Sequence, residues 1–148
     1  MFAPATATGC APARRHNLRR GEGVWSMDTK TILLADDEED IKVVVRLYLE
    51  SKGYNIVTAF DGLDAIEQVK REKPDLILLD VMMPVMNGYE VAARVRADEA
   101  SKSIPIVMLS AATHEEAVKK ALEAGANDYL MKPFDPVVLE ETIRKYLK

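Results

Sequence analysis

A few polar residues in this chain have the types and settings that phosphoryl chemistry needs. Asp36-Asp37 follow the apolar run Thr31–Ala35, and Asp80 follows Leu76–Leu79. Ser110 follows Ile104–Leu109, and Lys132 follows Asn127–Met131. If those runs are parallel strands, the polar groups meet at one edge of one sheet, where open α/β sheets gather their ligands. Three carboxylates packed together repel, and unaided at least one takes up a proton. A Mg²⁺ ion relieves that repulsion, because it prefers oxygen ligands and keeps several waters. Lys132 supplies a further positive charge and Ser110 a neutral hydrogen-bond donor. Such a set could hold a phosphoryl group: metal and lysine neutralise its oxygens, the hydroxyl binds one more, and Asp80 is placed to attack.

The elements that must position these groups follow from the pattern of the chain. The organising stretch is Leu76–Gly88, which reads Leu-Ile-Leu-Leu-Asp-Val-Met-Met-Pro-Val-Met-Asn-Gly. Four consecutive aliphatics describe a strand buried on both faces, as in a parallel sheet. Pro84 and Asn87-Gly88 mark the loop after it, and a helix is expected from Tyr89 to about Asp98. Thr31–Ala35, Asn55–Ala59, Ile104–Leu109 and Asn127–Met131 read as the other strands. Between them, Ile41, Val44, Val45, Tyr48 and Leu49 recur at helical spacing, and Leu63, Ile66 and Val69 are expected inward on a second helix. A fourth helix is expected over His114–Ala124, with Ala117 and Leu122 inward and Gly125 as its cap. Asp135 caps a last helix through Tyr146, with Val138, Leu139, Ile143 and Leu147 buried. Five strands and five helices in strict alternation, with short connections, imply an α/β fold with a parallel sheet, right-handed crossovers and helices on both faces.

Composition narrows the class of protein. At 148 residues the chain suits one well-buried domain and is short for two. It carries a net charge of −4. Residues 1–26 hold four arginines against one glutamate, +3, which leaves −7 on residues 27–148. An acidic body argues against direct binding of nucleic acid or an anionic membrane. No apolar run approaches the roughly 20 residues that span a membrane. Cys10 is the single cysteine, which points to a reducing, cytoplasmic setting. Residues 1–28 lack apolar periodicity and are expected to be a disordered extension, with 29–148 the domain. The last helix ends with the sequence, so no output domain is expected after it.

Taken together, Asp36-Asp37, Asp80 followed by Met83-Pro84 and Asn87-Gly88, Ser110-Ala111, Tyr129 and Lys132-Pro133 resemble the receiver domain of two-component response regulators. The resemblance covers essentially all of residues 29–148 and is closest in kind to stand-alone, chemotaxis-type members. It implies a flavodoxin-like, doubly wound five-stranded sheet of order 2-1-3-4-5. It also implies that Asp80 accepts phosphate from a histidine kinase or phosphotransfer protein. Asp37 would then bind Mg²⁺ directly, with Asp36 assisting and the Met82 backbone carbonyl completing the protein ligands of a site that includes Asp80. Lys132 would contact the phosphoryl group, and Lys132-Pro133 is a candidate cis peptide. Ser110 and Tyr129 would form a switch that alters the 114–146 face for a downstream protein, although Tyr129 also reads as simple packing. Glu38 to Asp40 are expected to be a solvated first turn, His114 a surface residue, and the Met82-Met83-Met86 group loop packing.

The same acids would also suit a haloacid-dehalogenase-type phosphatase. That class wants its nucleophile in an Asp-x-Asp pattern at strand one and room for a cap domain. Here Asp36 and Asp37 are adjacent and there is no such room. The expectation is therefore a phosphoryl acceptor rather than an enzyme, with a receiver module of a longer protein as the second reading.

Overall fold

The computed structural model describes residues 29–111 and 115–147. The expected extension over residues 1–28 and the expected surface position of His114 lie outside those residues. Five strands alternate with five helices: β1 Thr31–Ala35, α1 Glu39–Ser51, β2 Asn55–Ala59, α2 Gly62–Glu72, β3 Leu76–Asp80, α3 Gly88–Ala97, β4 Ile106–Ser110, α4 Glu115–Glu123, β5 Asp128–Met131 and α5 Pro136–Tyr146. All pairings are parallel and the sheet order is β2-β1-β3-β4-β5. This is the doubly wound, flavodoxin-like fold with strand order 2-1-3-4-5. Among the described residues no helix is long and apolar enough to cross a membrane.

Strand side chains alternate between faces, so each strand feeds two cores. Leu33, Ala35, Ile77, Leu79, Ile106 and Met108 point to the side covered by α2, α3 and α4. Ile32, Leu34, Leu76, Leu78, Val107 and Leu109 point to the side covered by α1 and α5. The central strands are buried throughout, which explains their unbroken aliphatic runs. Local signals set the helix starts. Asp61 accepts from the Asp64 amide (2.8 Å), and Asp135 accepts from the Val137 amide (2.9 Å). Asn87 and Glu90 form a reciprocal capping box at 3.0 Å each way. Gly125 follows α4 with φ +114°, the left-handed region that stops a helix.

The inward faces of four helices differ from the sequence reading. Val44, Leu63, Leu122 and Val138 are exposed. Val45 on α1 and Leu139 on α5, also expected inward, are buried, while Gly62 on α2 and Ala121 on α4 take the inward places of Leu63 and Leu122. One residue along a helix is a rotation of about 100°, so of two adjacent large apolar residues at the margin of a face one turns toward solvent; on α3 Val91 and the small Ala92 are both buried. Small residues at 62, 65, 117 and 121 are among those α2 and α4 bury, and a Cβ at Gly62 would stand against the Met86 backbone. Ile66 and Leu147 are partly buried, as expected of residues at the margin of a face.

Candidate functional site

The C-terminal ends of β1 and β3 bring two carboxylates together. Ala35 pairs with Leu79 in register, so the next step along both strands sets Asp36 beside Asp80. Both are buried, whereas Asp37 is exposed at the rim. One oxygen from each of Asp36, Asp37 and Asp80 lies within 4.8 Å of the others. Asp36 is fixed at both ends of its residue. Its amide donates to the Ala59 carbonyl (3.3 Å), and its Oδ1 accepts from the Glu38 amide (2.9 Å).

Lys132 reaches this cluster from the end of β5. Its amide donates to the Ser110 carbonyl (2.8 Å), which anchors the residue beside β4. Its Nζ lies 2.9 Å from Asp36 Oδ2, 2.9 Å from Glu38 Oε1 and 3.4 Å from Asp80 Oδ1. The approach to Asp36 Oδ2 is an ion pair that misses hydrogen-bond geometry, so that among the described residues this buried oxygen accepts no hydrogen bond. The Lys132–Pro133 peptide is cis, as the motif suggested.

Electrostatics follow from this crowding. Burial above all, and then the charge on Asp36, push the Asp80 carboxyl from 3.8 up to about 7, against the lowering influence of Lys132 and the Met82 amide. For Lys132, burial disfavours the ammonium, but its contacts with Asp36 and Glu38 and the charge of Asp80 outweigh it. The amine is held above its ordinary value. Lys132 thus faces three acids, with Asp37 close to two of them, and an all-oxygen donor set with a buried oxygen that accepts no hydrogen bond among the described residues fits a hard divalent ion such as Mg²⁺.

The loop after Asp80 is tightly built. Met82 donates its amide to Asp80 Oδ1 (3.4 Å) while its side chain is exposed. Met83 is buried instead, and Met86 packs beside it, as loop packing predicts. The Met86 amide donates to the Pro84 carbonyl (2.7 Å) across Val85, a γ-turn with Val85 at φ +72°. At Gly88 a Cβ would stand 2.5 Å from the Asp80 carbonyl oxygen, so only glycine lets α3 start this close to β3.

Ser110 is buried at the end of β4. Tyr129 on β5 pairs with Met108, two residues before Ser110 and on the same face. It is half-buried against the core on the α2–α4 side. It also stands near Tyr89, whose phenol is raised by burial first and by Tyr129 second. The sequence reading placed Glu38 in a solvated first turn. Glu38 to Asp40 are indeed exposed; what the structure adds is that Glu38 is the N-cap residue of α1 and that its carboxylate pairs with Lys132 rather than capping. No local pattern reveals a contact between residues 94 positions apart.

Comparison with known proteins decides the family. Residues 32–144 match the family described as the response regulator receiver domain. The chain belongs to this family. Its curated relatives include the alkaline phosphatase synthesis transcriptional regulatory protein PhoP of Bacillus subtilis, 41% identical over 119 residues, or 80% of this chain and 49% of PhoP. The DNA-binding response regulator MtrA of Mycobacterium tuberculosis is 40% identical over 124 residues, 82% of this chain and 53% of MtrA. The receiver chain thus spans about half the length of these relatives. Among solved structures, the chemotaxis response regulator CheY4 of Vibrio cholerae superposes with a TM-score of 0.76 at 35% identity, covering 80% of this chain and 98% of that one. The receiver domain of the sensor histidine kinase PA1611 of Pseudomonas aeruginosa gives 0.75 at 33% identity with the same coverages, and holds a magnesium ion in its active-site cleft. Receiver domains are phosphoryl acceptors of two-component systems and bind Mg²⁺ at an acidic site.

Proposed function

We propose that Asp80 is the phosphoryl acceptor of this receiver domain, with a histidine kinase or phosphotransfer protein as donor. The observation that carries the reading is the convergence of Asp36, Asp37, Asp80 and Lys132 at one sheet edge. An Asp80 oxygen attacks the phosphorus of the donor's phosphohistidine and the P–N bond breaks. The imidazole nitrogen leaves with the electron pair and takes up a proton from water, and an acyl phosphate remains on Asp80. Asp36, Asp37, Asp80 and the Met82 carbonyl would hold Mg²⁺, which when bound neutralises phosphoryl oxygens. Lys132, already 3.4 Å from Asp80 Oδ1, would meet another phosphoryl oxygen, and the Ser110 hydroxyl would donate to a third. The chain acts as an acceptor, with at most self-phosphorylation from small donors and slow hydrolysis of its own product.

The signal would leave by phosphorylation-dependent protein binding on the surface of α4, β5 and α5, in the cytoplasm. Ser110 would move toward the phosphoryl group, and Tyr129, on the same face one strand over, would fill the space vacated. Phosphate can shift such an equilibrium only by its differential affinity for the two forms. Residues 29–148 would form this unit, with 1–28 as a separate extension. A second reading is favoured by the length of the relatives: the receiver could serve as one module of a longer regulator, with a DNA-binding part like that named for MtrA. Incubation with acetyl phosphate and Mg²⁺, followed by mapping of the acyl phosphate, tests the core claim. Label should appear on Asp80 and vanish with Asp80→Asn or EDTA. Label that survives either treatment refutes the assignment.

A further inference from the structure

Lys132 has three carboxylate neighbours and donates a hydrogen bond to one of them, Glu38, so an anion arriving at Asp80 must compete for an ammonium that already holds an acid. The three neighbours are not equivalent. Asp36 is 0% exposed and Asp80 5%, while Glu38 is 56% exposed. Releasing Lys132 from a buried carboxylate strands a charge away from water, and among the described residues Asp36 Oδ2 already accepts no hydrogen bond. Releasing it from Glu38 merely returns an exposed acid to solvent, at small cost. Glu38 is therefore the acceptor that yields. Its backbone is tied to the site through the amide bond to Asp36 Oδ1 at 2.9 Å. Its side chain takes no part in capping α1, so nothing local explains its reach to Lys132 at 2.9 Å.

We propose that Glu38 is a positioning residue that competes with the phosphoryl group for Lys132. It latches the lysine in the unphosphorylated protein and lowers the site's affinity for a phosphoryl-like anion. This rests on the reading of Asp80 as acceptor. It assigns a role to an acid outside the metal cluster, and it predicts that removing a carboxylate contact strengthens the site.

Beryllofluoride, a stable phosphoryl mimic, tests the proposal in the full chain with saturating Mg²⁺ by isothermal titration. Glu38→Gln should bind the anion two- to five-fold tighter than wild type, which corresponds to roughly 0.4–1 kcal/mol, within the range of an exposed ion pair. Mg²⁺ affinity and thermal midpoint should stay near wild type, because Glu38 lies outside the three-aspartate cluster and its pair is half in solvent. Asp40→Asn serves as the control, since it removes an acid from the same first turn while Lys132 keeps its contacts. It should leave anion affinity nearly unchanged. Equal tightening by Asp40→Asn would reduce the effect to general charge and overturn the proposal. Unchanged or weaker binding in Glu38→Gln would overturn it too, while Asp80-dependent binding in wild type still upheld the acceptor reading. Wild-type protein that binds beryllofluoride no better than Asp80→Asn would overturn both.

Discussion

Stripping metal from the protein and raising the pH should weaken the fold, and Asp80 sets by how much. Its carboxyl ionises at about 7 in the folded chain and near 3.8 when free, chiefly because it is buried and secondarily because Asp36 is charged. Between those values the folded state holds a proton that the unfolded state has lost. Stability therefore falls as pH rises through this window, with the loss complete above the folded value. Each unit of separation is worth about 1.4 kcal/mol, so the whole shift corresponds to about 4 kcal/mol as an upper bound. Only part of it falls between pH 5.5 and 8, about 2 kcal/mol by the same relation. Lys132 is charged in both states across this range and adds no slope. For a domain of this size, 2 kcal/mol corresponds to a drop in melting temperature of roughly 6 °C. Calorimetric melts of chelator-treated protein at pH 5.5, 6.5, 7.2 and 8 would measure it. Asp80→Asn should flatten the profile and melt above wild type at pH 8. Excess Mg²⁺ should stabilise wild type more at pH 8 than at pH 5.5, because the ion binds the deprotonated carboxylate. A metal-free profile that is level or rising, or a slope that persists in Asp80→Asn, would rule out Asp80 as the group that titrates across this window.

Three further changes test the frame around the site. Val85→Gly should stabilise the protein by about 1 kcal/mol in urea titrations. Relief of a β-branched residue at φ +72° outweighs the extra freedom of glycine in the unfolded chain, and the Val85 side chain is exposed; a clear loss of stability would show that the turn is unstrained. Gly88→Ala should cost roughly 2 kcal/mol, because a Cβ 2.5 Å from the Asp80 carbonyl oxygen forces β3 and α3 apart. It should also slow acyl phosphate formation, and normal rates would mean the loop yields without moving Asp80. Arg96→Lys should cost about 2 kcal/mol. The guanidinium donates to the carbonyls of Gly125, Lys102 and Ile104 and to Asn127 Oδ1, a spread that one ammonium cannot cover. A stability change under about 0.5 kcal/mol would show those bonds to be replaceable by water.

Much of this protein is legible in its sequence because the deciding signals are local. Aliphatic runs at Thr31–Ala35 and Leu76–Leu79 can be satisfied only by strands covered on both faces, and each run is ended by a polar residue. Once all strands are parallel, Asp36, Asp80, Ser110 and Lys132 must share an edge, whatever the details of packing. Caps at Asp61, Asn87 and Asp135, and the left-handed Gly125, act within a turn of the helix they bound, so they too could be read directly.

Tertiary structure alone decided what depends on how surfaces meet. Periodicity allows Val44 or Val45, and Leu63 or its neighbour Gly62, to face the sheet. The assembled fold buries small residues such as Ala65, Ala117 and Ala121 and so selects one rotation, which leaves the larger neighbour in water. The same is true of charge. Asp80 titrates near neutrality because the assembled fold buries it beside Asp36, a property that no stretch around it contains. Glu38 and Lys132 are 94 residues apart and meet because β1 and β5 end at the same edge. Local sequence sets which backbone states are open to each segment. Desolvation and the pairing of charges act through space, and so they exist only once the segments have come together.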